Sequence, residues 1–128
     1  MLTTGLVLAA LAAGLHVLIF YLESVAWESP LARRTFGGTP EEARPHAFYA
    51  FNQGFYNLFL ALQTIIGIGV TAAGSPGPGA ALVLAGTGSM LAAALVLLLS
   101  SPLHRAAAVK QGTLPALAVV TTVVALVA

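Results

Sequence analysis

Four stretches of this chain are nearly free of charge, at about residues 2–27, 47–73, 80–99 and 109–128. About 20 apolar residues are enough to cross a bilayer core roughly 30 Å thick. Open strands cannot cross lipid, because their backbone polar groups would go unpaired, so the pattern predicts helices. The fourth stretch is the weakest. Its clean part, residues 114–128, has only 15 residues, so its helix should start earlier, near Lys110. Pro115 should either open that helix or kink it. The predicted fold class is therefore all-α integral membrane: a four-transmembrane-helix bundle in one domain, residues 1–128.

The connections differ in kind. Residues 28–46 are long, polar and carry most of the charge, while residues 74–79 read Gly-Ser-Pro-Gly-Pro-Gly, an uncharged tight turn. The third connection, residues 100–109, holds Pro102, His104 and Arg105. No internal repeat is present. All five cations, Arg33, Arg34, Arg44, Arg105 and Lys110, fall in or just after the first and third connections. With four spans those two connections share one side, and the positive-inside rule makes that side cytoplasmic. Both termini are then expected outside, in a multi-pass protein of a bacterial inner (plasma) membrane. The apolar N-terminal stretch lacks a basic start and continues past Gly14, so it is read as a retained span.

Composition sharpens this picture. Of the 128 residues only 7% are charged, and the mean hydropathy is +0.95. There is no cysteine, which excludes disulfides, thiolate metal sites and thiol chemistry. No basic patch is interleaved with aromatics, so no nucleic-acid partner is expected.

Against this background the polar residues inside the spans carry the interest. His16 and Glu23 lie seven apart in the first span, about 20° apart in azimuth on a regular helix. Ionisable groups inside a membrane segment are expensive and usually functional. The second span runs back and begins near Ala47, which sets Asn52 and Gln53 level with Glu23 and Asn57 near His16. Gln111 stands at the start of the fourth span. Trp27 and Tyr56 lie one turn beyond Glu23 and Asn52. One polar pocket lined by His16, Glu23, Trp27, Asn52, Gln53, Tyr56, Asn57 and Gln111 is expected, in the cytoplasmic half.

Simpler readings stay open. Trp27 and Tyr21 suit an interfacial belt. Asn52, Gln53 and Asn57 suit interhelical hydrogen bonding. Glu23 could pair with Arg33, Arg34 or Lys110, and His16 with a second-span amide. His46 and His104 sit at segment ends, where solvent is expected. Gly67, Gly69, Gly86 and Gly88 are expected at close helix contacts.

The chain resembles a known family through three stretches. They are His16 with Tyr21-Leu22-Glu23 and Trp27-Glu28-Ser29-Pro30; Phe36-Gly37 with Asn52-Gln53-Gly54-Phe55-Tyr56-Asn57; and Gln111-Gly112 with Pro115-Ala116. It is similar to a bacterial integral-membrane family catalogued as domain of unknown function number thirteen hundred and four. The resemblance implies four transmembrane helices and no established activity. Phe55 departs from it, since leucine is commoner there.

The polar set suits an isomerase- or epimerase-like acid–base enzyme acting on a lipophilic small molecule. His16 and Glu23 are then the catalytic pair. Asn52, Gln53, Asn57 and Gln111 orient a carbonyl or hydroxyl and stabilise developing charge. Trp27 and Tyr56 form an aromatic wall. Such chemistry needs no cofactor, and none is expected; no metal site is expected either. The alternatives are a proton-coupled small-molecule transporter, for which a homodimer is the natural assembly, and a non-catalytic membrane binding or scaffold protein. The partners expected are the lipid bilayer and a lipophilic small molecule.

Overall fold

Helix α1 (Leu2–Phe20) continues directly into a wider π-helical turn (Tyr21–Val25). Two short helices follow, α2 (Pro30–Phe36) and α3 (Pro40–Ala43), and then three long ones: α4 (Ala47–Ala72), α5 (Pro76–Ser100) and α6 (Arg105–Val127). These elements come from a computed structural model that describes all 128 residues. Four helical segments are long and apolar enough to cross a membrane, which makes this a multi-pass membrane protein. α1 packs on α4 and α6, and α5 packs on the same two, so α1 and α5 lie on a diagonal. The polar connections gather at one end, called here the loop end. The termini and the Gly74 turn lie at the other.

Two helix starts differ from the sequence expectation. α5 begins at Pro76, inside the predicted turn, because the first-turn N–H that proline lacks has no helical partner anyway. α6 begins at Arg105 and carries Pro115 within it rather than at its start. The predicted polar connection also folds. Ser29 caps α2 by accepting from the Ala32 N–H at 3.2 Å. Thr39 and Glu42 form a reciprocal capping box on α3. Between these helices Gly37 and Gly38 adopt φ of 85° and 76°, a conformation that favours glycine.

Small side chains set the packing. Ala9, Ala12, Ala61, Ala118 and Val83 are fully buried, with Met90 as the largest filler. Large apolar side chains such as Leu11, Phe59, Ile66, Leu99 and Val120 face outward. On a soluble protein that surface would be an aggregation hazard; on membrane helices it meets lipid. Between α4 and α5 the backbones approach closely through Gly67, Gly79 and Gly86. A Cβ on Gly67 would stand 2.7 Å from the Val83 nitrogen and 2.8 Å from the Gly79 oxygen. Gly69 and Gly88, also expected at such contacts, face open space. Each lies two residues beyond a contact glycine, about 200° around the helix, and so on its far side.

At the loop end Arg44 donates to the Glu28 carboxylate through Nε at 3.2 Å and Nη2 at 2.9 Å. That hydrogen bond holds the Glu28 carboxyl below its ordinary value of 4.5. A depressed folded-state pKa stabilises the fold above the unfolded value, and the contribution disappears as pH falls through the folded one. Both groups are exposed, so the effect is small. Glu28→Gln is expected to lower the melting temperature slightly at pH 7 and less at pH 3, measured by thermal unfolding in detergent. An equal drop at both pH values would contradict the ion-pair account.

Candidate functional site

The π-turn and Gly54 together build the centre of the site. π-turns are rare and recur at functional sites. Here the Ala26 N–H bonds back five residues, to the Tyr21 oxygen at 2.9 Å, which marks the wider turn. Ser24 Oγ donates to the Phe51 oxygen at 2.7 Å and ties this turn to α4. Opposite it stands Gly54. A Cβ there would collide with Ser24 Oγ and come within 3.1 Å of the Glu23 Cβ. The missing side chain lets α4 come close, so that Asn57, less than one turn further along, reaches the carboxylate. Asn57 Nδ2 donates to Glu23 Oε2 at 2.9 Å and to the Gln53 oxygen at 3.2 Å.

An amide nitrogen carries two hydrogens, so Asn57 has no donor left. It holds Glu23 in place and offers a ligand only its oxygen. Glu23 forms no ion pair, and the single salt bridge in the protein is Arg44–Glu28. Pairing of Glu23 with Arg33, Arg34 or Lys110 is thereby set aside.

His16 is 2% exposed. Its Nδ1 lies 2.9 Å from the Ala12 oxygen, one turn back on its own helix. A carbonyl can only accept, so Nδ1 carries the proton. In the neutral ring Nε2 is then the basic nitrogen. A bond from His16 to an α4 amide, the simpler reading left open by the sequence, is not formed.

Both groups line one cavity of about 480 Å³ enclosed by α1, α4, α5 and α6. Gln53 and Asn57 enter from α4 and Gln111 from α6, while Leu60 and Met90 give it apolar walls. Pro115 has no N–H to offer the Gln111 carbonyl, which loosens the α6 backbone beside the cavity. Thus His16, Glu23, Gln53, Asn57 and Gln111 come together as the sequence suggests.

Three predicted pocket residues do not join them. Asn52 and Tyr56 are exposed on the outer side of α4. They precede Gln53 and Asn57 by one position, which is about 100° around the helix and turns them away. Trp27 is displaced because the helix ends at Val25; Ala26, at φ −120°, redirects the chain. The Trp27 indole donates to the Ala43 oxygen at 2.8 Å, stacks near Phe36, and carries the Arg33 guanidinium 4.2 Å above its ring. Arg33 also donates to the Trp27 and Gly37 oxygens. Trp27 is therefore the anchor of the 28–46 connection and touches only a shallow outer cleft with Glu23 and Gln53.

Two residues of the cavity mouth were read otherwise or missed. Phe36, at the end of α2, leans over it. His104 is exposed, as expected, and also lines the mouth, where the short turn Pro102–His104 places it and Ser101 Oγ meets its Nδ1 at 2.7 Å. The Ser-Pro pairs at 29–30 and 101–102 are the local signals for these turns.

The family described as "Protein of unknown function (DUF1304)" matches residues 10–123. The chain belongs to DUF1304. The match covers every residue of the cavity, so the π-turn, Gly54 and the Glu23–Asn57 bond all lie within the DUF1304 region. No curated protein and no solved structure matches the chain.

Proposed function

We propose that this protein is a cofactor-independent, isomerase- or epimerase-like enzyme of the bacterial inner membrane acting on a lipophilic small molecule. The observation that carries the reading is the convergence of Glu23, oriented by Asn57, and His16, with a free Nε2, on one cavity among the spans. With all five cations at the loop end, the positive-inside rule places that end, and the cavity mouth, in the cytoplasm.

The chemistry is a redox-neutral shift of one proton. His16 Nε2 takes a proton from a carbon next to a carbonyl, and the C–H pair moves into an enolate. Glu23, in its acid form, returns a proton to the opposite face or to the far end of the conjugated system. Asn57 occupies Oε2, which leaves Oε1 for the substrate. Gln53 and Gln111 line the same cavity, and their side-chain N–H groups are the donors that would stabilise the enolate oxygen.

Deuterium exchange tests this. The purified protein in nanodiscs and D₂O is incubated with lipophilic ketones and enones of the steroid and terpenoid type, and isotope uptake is read by mass spectrometry. Uptake that depends on both His16 and Glu23 is expected. No uptake above buffer across the panel, with proton flux into proteoliposomes dependent on Glu23, would overturn the enzyme reading in favour of a transporter.

A further inference from the structure

The cavity shares its Phe36 wall with two neighbouring grooves of about 290 and 380 Å³ at the loop end. Gln111, Ala107 and Phe36 line both the cavity and the nearer groove, and His104 is shared with the outer one. Two cations, Arg34 and Lys110, border both grooves, and neither has a carboxylate partner. Of the three acids in the neighbouring connection, Glu28 is held by Arg44 and Glu42 by the Thr39 cap, while Glu41 forms no ion pair and acts on Arg44. Leu15 and Ile19 of α1 form an apolar wall of the nearer groove beside the cations.

A basic rim at a membrane surface ordinarily just meets anionic headgroups, at a contribution of about 1 kcal/mol per cation. This rim differs because it adjoins an interior cavity. The adjoining grooves and cavity form a cleft that offers positive charge at the interface, then apolar side chains, then amides with an acid and a base. We infer that the cleft takes a single-chain amphiphile with one anionic headgroup, carboxylate or phosphate, seated between Arg34 and Lys110, and an apolar body reaching past Phe36 towards Glu23. This rests on the proposed function and deepens it by naming the substrate class.

Native mass spectrometry of the intact protein in nanodiscs of uncharged lipid tests the inference. The probes are dodecyl phosphate, dodecanoate, dodecanol and inorganic phosphate. The two anionic amphiphiles are expected to bind about tenfold or more tightly than dodecanol, as two interfacial cations allow. Inorganic phosphate alone should bind no better than dodecanol. The double variant Arg34→Gln/Lys110→Gln should lose the preference, while Arg44→Gln, already ion-paired, should keep it. Because the preference is a ratio, a change in fold stability does not mimic its loss. Equal binding of dodecanol and dodecyl phosphate would overturn the inference, as would a preference that survives the double variant. Tight binding of inorganic phosphate alone would also overturn it, leaving a site for a free anion. Absent deuterium exchange with an intact anion preference refutes only the acid–base reading. Exchange without the preference refutes only the substrate class.

Discussion

Glu23→Gln is expected to lower deuterium uptake by at least about a hundredfold while leaving the melting temperature near that of the native chain, the loss typical of a missing general acid. The two readouts separate because of what Asn57 does. Its Nδ2 donates to Glu23 Oε2, and a glutamine oxygen at the same place can still accept. The hydrogen bond between α1 and α4 therefore survives, but no transferable proton remains. Glu23→Leu is expected to behave differently. It strands the Asn57 donor at a partly buried position, at a cost of about 1–3 kcal/mol, and so lowers stability as well. Isotope exchange and thermal unfolding on the same preparations check both. Full exchange in Glu23→Gln would end the acid role. A large melting-temperature loss in that variant would show that the carboxylate is mainly structural.

Gly67→Val is expected to destabilise the protein by about 1–3 kcal/mol or more, the range for forcing atoms into a filled contact. The obstruction is backbone. The first carbon of any side chain at Gly67 meets the Val83 nitrogen, the Gly79 oxygen and, at 2.9 Å, the Leu82 Cβ. A flexible side chain could swing aside, but a helix cannot, so α4 and α5 must move apart. Gly69→Ala is the matched control, on the same helix with nothing within 4 Å. It is expected to be neutral or slightly stabilising, since alanine is the better helix former. Equal melting temperatures for the two variants in detergent would contradict the packing described here.

Hydropathy made the four spans legible, because a membrane imposes length and apolarity on any segment that crosses it. The depth of the polar residues was legible too, since rise per residue is nearly constant in a helix. Azimuth was less so. Asn52 and Gln53 are adjacent and equally polar, yet only Gln53 borders the cavity. Choosing between them requires knowing which side of α4 meets α1, and that depends on Gly54 and Ser24. The π-turn is harder still. Periodicity counted at 3.6 residues per turn runs straight through Tyr21–Val25 and carries Trp27 onto the Glu23 face, whereas the helix has already ended. The folding of the 28–46 connection was signalled by Ser29-Pro30 and by Thr39-Pro40-Glu41-Glu42. Its polar composition hid this, because charge and hydropathy alone do not separate a capped short helix from a loop.

The half of the molecule away from the polar connections is packed mainly with small apolar side chains. Ala12, Ala13, Ala61 and Met90 close one layer, and Ala9, Val83 and Ala118 close the next. The acid, the base and the amides that line the cavity lie on the loop-end side of these layers, while Gln63 and a few threonines that mostly bond their own helices stand among them. A charge entering the cavity from the loop end meets these small apolar layers before the opposite face, where an ion in a low-dielectric interior is costly.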